Sequence, residues 1–216
     1  MEIKYRQIQK EEYPESENVI REAFWNYYAP GCTEHYLMHI MRNSPKFIHE
    51  LDIVAVNKDQ IFGQIAFVEG TIKSDDEKVY KVLSLGPVGV LPKYQHLGIG
   101  AKLIEHAYEI ASKLDYRAIL LCGNPAFYEK QGFVPAKKFN IRNAENYYFE
   151  VLQIRELYKN SMANISGQYY EDEIYFFDEA KADEFDSNFP PKEKVEGNES
   201  QQFFNEFSQR VEKYNQ

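Results

Sequence analysis

Residues 79–123 constrain the fold more than any other stretch. "VYKVLSLGPVGVL" (79–91) reads as a strand and "PKYQHLG" (92–98) as a turn. The spacing then predicts a helix from Ile99 to about Leu114. Ile99, Leu103, Ala107, Ile110, Ala111 and Leu114 form its apolar stripe, with Lys102, Glu105, Glu109 and Lys113 outside it. "RAILLCG" (117–123) is apolar throughout and predicts a strand buried on both faces. Strand, helix and strand in this order require a right-handed crossover between parallel strands. Gly86-Pro87 falls inside the first strand. Proline carries no N–H, so the ladder must bulge or break there.

The flanking sequence completes a mixed α+β arrangement. "IKYRQIQ" (3–9) alternates as a first strand. "SENVIREAFWNYY" (16–28) places Val19, Ile20, Ala23, Phe24 and Tyr27 at helical spacing, with Pro14 ahead of it. Thr33 is positioned to cap a second helix to about Arg42, with Leu37, Ile40 and Met41 on one face. "LDIVAV" (51–56), "IFGQIAFVEGTI" (61–72) and the strand from Val79 are joined by the short polar links "NKDQ" and "KSDDEK", which predicts an antiparallel meander. "NPAFYEKQGFVPA" (124–136) offers a short helix and a turn at Gly132, and "NYYFEVLQI" (146–154) reads as one more strand. A domain is therefore expected over 1–177. An acidic extension is expected over 178–216, looped at first and ending in a helix from about Glu199.

Composition narrows the function. The chain has 216 residues, 44% of them apolar, with 17 Tyr and 15 Phe, which is enough to bury a core. A net charge of −9 repels phosphate backbones and argues against nucleic-acid binding. The charged start "MEIKYRQIQKEEY" and the lack of long apolar runs argue against a leader and against a membrane partner. Two cysteines, Cys32 and Cys122, make no disulfide framework and no zinc spacing. The expectation is a soluble cytoplasmic protein without a metal.

Glycines before a helix let its unpaired N–H groups approach an anion. "HLGIGAK" (96–102) lacks the Gly-Lys-Ser/Thr of a nucleoside-triphosphate loop. Leu103 stands where a dinucleotide fingerprint needs its third glycine. A turn that merely needs glycine, with no ligand, stays open on these residues alone.

"YQHLGIGAKLI" resembles the Q/R-x-x-G-x-G/A motif of the GNAT N-acetyltransferase superfamily, with Gln95, Gly98 and Gly100 on the motif positions. "AFYEKQGF" (126–133) is similar to the family's second motif. "LGPVGVLPKYQ", "NPAFYEKQGF" and the later Glu156-Leu157, Ser166-Gly167 and Tyr170 resemble its YhbS-like branch. The resemblance runs from about Ile3 to Tyr170.

It implies the GNAT acyl-CoA N-acyltransferase fold, an α/β three-layer arrangement. It also implies acetyl-CoA as co-substrate and transfer of acetyl to a primary amine of a small molecule or peptide. The pyrophosphate would take backbone N–H groups from Leu97, Gly98, Ile99, Gly100, Ala101 and Lys102, or a subset of them, beside Gln95 and His96. The pantetheine arm would pair with Val88, Gly89 and Val90 beyond the bulge, with Asn124 in reach. Tyr128 would protonate the leaving thiolate. Ser84 stands about where many relatives carry a basic Glu, so a CoA-binding module without turnover is the alternative.

Other candidates stay open. Glu69, Glu22 and His35, or a water chain, are candidates for the base. Cys122 reads as core rather than as an acetyl carrier. His35 and His39, four residues apart, read as a solvated or substrate-facing pair rather than a metal site. Trp25, Tyr27, Tyr28, Tyr147 and Tyr148 are candidate walls for the amine. The extension would cover that pocket, mediate a homodimer, or trail.

Overall fold

β1 (Lys4–Gln7), α1 (Tyr13–Phe24), α2 (Glu34–Met41), β2 (Ile53–Asn57), β3 (Gln60–Ser74) and β4 (Val79–Val90) form the first half of the chain in this computed structural model, which describes residues 2–58 and 60–214. The three central strands make the expected antiparallel meander. Asp59, in the "NKDQ" link, lies outside the described residues. α3 (Ile99–Ala111) then crosses over to β5 (Ala118–Cys122), which pairs parallel with β4.

α4 (Pro125–Tyr128), β6 (Val134–Pro135), β7 (Ile141–Arg142), β8 (Tyr147–Phe149), β9 (Leu152–Glu156) and β10 (Gly167–Tyr170) follow. The main sheet runs β1-β2-β3-β4-β5-β9-β6, and β10 pairs with the far half of β3. The single strand expected over 146–154 is two strands. β9 pairs with β5, whereas β8 pairs with β11 (Val211–Lys213) in a separate two-stranded sheet.

The sheet is covered on both faces. α3 buries Ile99, Leu103, Ile104, Ala107 and Ala111 against Ile53, Ile65, Phe67, Leu83 and Ile119. Ile104 joins the buried stripe, while Ile110 is only partly buried and Leu114, also partly buried, lies past the helix end at Ala111. On the other face α1 and α2 pack Ile20, Met38 and Met41 against Ala66 and Val68. Met38 rather than Ile40 supplies that contact. Each such fully buried side chain contributes about 1.5–3 kcal/mol. Thr33 occupies the cap position of α2, but its side chain makes no capping bond.

The extension is more structured than a loop followed by a helix. Asp178 caps α5 (Glu179–Asp186) by accepting the Ala180 N–H at 2.9 Å. α6 (Glu199–Ser208) follows, and the chain continues past it into β11. α5 is tied down by Arg21, which is 1% exposed and donates to Asp186 at 2.5 Å and to the Pro190 carbonyl at 3.1 Å. His35 lies beneath it, between Phe185 and Phe189, fully buried and 3.1 Å from Asp186. Burial brings its pKa down to about 4, against the pull of Asp186, so the ring is neutral. His35 is thus neither solvated nor substrate-facing. His39 turns away to Glu17 at 3.0 Å.

Candidate active site

The site grows from one irregularity in the sheet. β3 and β4 pair Ile65 with Val88 and Phe67 with Leu85, so Ala66 faces both Gly86 and Pro87. This is the expected bulge. β4 and β5 pair only at Leu83–Ile119 and Ser84–Leu120. Beyond that point the strands part, and one edge of β4 is left open.

Backbone groups on that edge follow from the register. The Val90 carbonyl accepts the Gln95 side-chain amide at 3.0 Å, so it faces away from β3. Register is regular from Val88 to Val90, and alternate residues of a ladder turn their backbone groups the same way. Val88 therefore also presents its N–H and carbonyl to the open edge. The Val90 carbonyl is engaged, and Gln95 is the residue that engages it. Gly89 has a packing reason as well, since a Cβ there would lie 2.9 Å from both Ala23 and Ile20 on α1.

The turn after β4 reverses direction through two left-handed residues, His96 (φ 60°) and Gly98 (φ 77°). Gly98 is there for its conformation, since no atom lies within 4 Å of where its Cβ would be. Among the described residues, no protein acceptor takes the backbone N–H of any residue from 96 to 101. The Lys102 N–H is satisfied by the Gly98 carbonyl at 3.1 Å, which removes it from the expected cradle. Six consecutive free donors at a helix N-terminus favour an anion through their dipoles. Lys93 and Lys102 have no acidic partner among the described residues.

A cavity of about 450 Å³ joins these parts. Val88, Gly89, Val90, Gln95, His96, Gly98, Ile99, Gly100 and Ala101 line one side, and Asn124 and Tyr128 the other. Leu97 and Lys102 do not line it; the Leu97 side chain points to solvent. Gly100 has an ordinary backbone, but its Cβ would stand between Val90 and Phe127, at 3.7 and 3.8 Å, inside the cavity wall.

Asn124 caps α4, its Oδ1 accepting the Ala126 N–H at 3.0 Å, and its amide NH₂ remains free to donate to a ligand. Tyr128 packs edge-on against Phe133 and close over Gly123. Its hydroxyl has no protein partner among the described residues. Burial, then the nearby Tyr27, raises its pKa, so the phenol holds its proton.

Deeper along the parted strands lies a second group of polar residues. Cys122, past the last β4–β5 pair, is accessible rather than core. The protein around it, then Glu171, raises its thiol pKa, which opposes a thiolate nucleophile. Ser84 is held by Tyr169 at 2.5 Å. Glu171 follows β10, half-buried, with no hydrogen-bond or ion-pair partner among the described residues. Burial, then Glu145, raises its pKa. Its charge in turn raises the Tyr169 and Tyr175 phenols, which places it among them. Glu34 is likewise raised by burial and sits near Tyr28.

None of the bases expected from sequence is free in this way. Glu69 holds Lys81 at 2.9 Å and Tyr116 at 3.2 Å, and Glu22 holds Lys192 at 2.9 Å. Of the expected aromatic walls, Tyr27 and Tyr28 do line the cavity. Trp25 instead donates to the Glu193 carbonyl, and Tyr147 and Tyr148 belong to the β8–β11 sheet. No signal in the sequence singled out Glu171, which sits in the acidic run "EDE" and reads as surface.

Known proteins share this architecture. Residues 49–135 match the acetyltransferase (GNAT) domain family. YjhQ of Escherichia coli K12, an uncharacterized N-acetyltransferase, is 28% identical over 86 residues, or 39% of this chain and 46% of YjhQ. The match therefore spans less than half of that relative. YhbS of the same strain, also an uncharacterized N-acetyltransferase, is 23% identical over 124 residues, covering 56% of this chain and 72% of YhbS. The crystal structure of YhbS in complex with CoA superposes with a TM-score of 0.71 at 19% identity, covering 81% of this chain and 92% of that one. A GNAT family acetyltransferase from Brucella melitensis in complex with acetyl-CoA gives 0.65 at 21% identity, covering 81% and 98%. The chain thus has the fold of these acetyltransferases, and its residues 49–135 match the GNAT acetyltransferase domain.

Proposed function

We propose that this protein transfers acetyl from acetyl-CoA to a primary amine by direct attack. One observation carries the reading: His96 and Gly98 to Ala101, whose backbone N–H groups are free, line one cavity together with Val88 and Tyr128. The N–H groups suit a pyrophosphate, and the β4 edge suits the amides of an extended arm, bound as an added strand. Gly100 leaves room where a side chain would intrude.

Acetyl-CoA supplies an activated thioester. An amine attacks only when neutral, and a departing thiolate needs a proton. Glu171 takes the proton of the incoming ammonium. Its raised pKa supports that role, because a base works best near the operating pH. Tyr128 donates to the departing sulfur. The alternative, a CoA-binding module without turnover, draws on Ser84 in place of a strand carboxylate. Glu171 supplies a carboxylate from another element.

Calorimetric titration with acetyl-CoA and amine-dependent thiol release test the proposal together. Binding with turnover is expected, and Tyr128→Phe should lower kcat by roughly 10²-fold with CoA affinity unchanged. Binding without thiol release across an amine panel would favour the silent module. No binding at millimolar ligand would end both readings.

A further inference from the structure

A second cavity, about 460 Å³, opens on the far side of Tyr27, Tyr28 and Asn124, the three residues it shares with the first. Its outer wall is α6, which presents Glu199, Phe203, Phe204 and Phe207. No Lys or Arg lines it among the described residues. Tyr28 and Phe204 meet with ring centroids 4.3 Å apart.

α6 is fixed at both ends. Asn198 caps it through the Gln201 N–H at 3.0 Å and donates its amide to the Asn26 carbonyl at 2.6 Å. Gln201, 3% exposed, donates to the same carbonyl at 3.1 Å and to Val195 at 2.9 Å. Ser200 donates to the Tyr27 carbonyl at 2.9 Å. At the other end β11 is zipped to β8, with Val211 opposite Phe149. A trailing segment has no need of a buried glutamine and a helix cap that both bond to Asn26 across the chain. These bonds hold the aromatic wall in place.

We propose that this chamber is the acceptor subsite and that it takes a small organic primary amine on an aromatic or apolar body. The inference rests on the acetyltransferase reading. Shared walls let a nitrogen held here reach the cavity that contains Tyr128. Stacked aromatic walls bind a flat apolar body and also attract a cation over their faces. Glu199 at the chamber adds negative charge, and no Lys or Arg among the lining residues opposes it. The volume lies within the range of about 300–1,000 Å³ usual for small-molecule sites. α6 walls one side of the chamber, which suits a compact small molecule.

Thiol release by the full chain, saturated with acetyl-CoA, tests this with 2-phenylethylamine, ethylamine and a tripeptide with a free N-terminus. The expected kcat/KM for 2-phenylethylamine exceeds that for ethylamine by at least about tenfold. Phe204→Ala should raise the KM for 2-phenylethylamine by about tenfold, with calorimetric affinity for acetyl-CoA unchanged. Phe203→Ala, at a more exposed ring, provides the same readout if Phe204→Ala does not fold. Equal kcat/KM for the two amines, turnover of the tripeptide alone, or acetyl-CoA binding with no amine used would each overturn the subsite and leave CoA binding standing. No acetyl-CoA binding would overturn the transferase reading and this one with it.

Discussion

The Gln95 side-chain amide donates to the Val90 carbonyl at 3.0 Å and ties the turn before α3 to the open edge of β4. The motif glutamine thus has a structural task, holding the free N–H groups at a fixed distance from Val88. Gln95→Ala should lower stability by about 1 kcal/mol and weaken acetyl-CoA binding several-fold. Gln95→Glu, which cannot donate from the same position, should behave alike. Urea melts and calorimetry on the two variants check this.

Gly98 and Gly100 are glycines for different reasons, so alanine separates them. Gly98→Ala forces a side chain into a left-handed backbone at a cost of about 1–2 kcal/mol and should lower Tm by a few degrees. Gly100→Ala meets only ordinary contacts at 3.7 and 3.8 Å and should leave Tm nearly unchanged. It should nevertheless weaken acetyl-CoA binding more than Gly98→Ala does. Thermal melts beside binding titrations decide the order.

Much of this was legible in the sequence because it is local. The 3.6-residue stripe of α3, the proline that forces the bulge and the glycine before the helix each act over a few residues. What was hidden depends on long-range pairing. Tyr147 to Ile154 holds strand formers without a turn residue, so nothing local divides β8 from β9. Only their partners, β11 and β5, do so. Cys122 looked buried because β5 is apolar, yet it outruns its pairing with β4. Glu171 is brought inward by β10, which pairs Tyr170 with Thr71 about a hundred residues earlier.

Glu171→Gln should trade activity for stability. Burial raises the folded-state pKa of Glu171 above its unfolded value. Its favourable contribution is therefore complete at low pH and lost as pH rises through the raised value. Glutamine stays neutral, so the variant should melt higher than wild type at about pH 8 and equal to it below about pH 4. Its kcat/KM should fall by roughly 10²-fold, and the acidic limb of the pH profile should disappear. A pH series of melts and initial rates gives both signs.

Asp186 anchors the extension through the buried Arg21. Asp186→Ala leaves the guanidinium with Glu22 at 3.8 Å and the Pro190 carbonyl. It should cost about 3 kcal/mol. Cleavage by a protease within residues 187–198 should become faster in the variant, as read by mass spectrometry of the fragments.

Amide hydrogen exchange with and without saturating acetyl-CoA tests the central claim most directly. The free N–H groups of residues 96–101 have no protein acceptor and should exchange rapidly in the unliganded protein. With acetyl-CoA bound, protection should appear across residues 96–101 and at Val88, while Lys102, already bonded to Gly98, changes little. Saturating acetyl-CoA that leaves residues 96–101 unprotected would contradict the cradle and the function built on it.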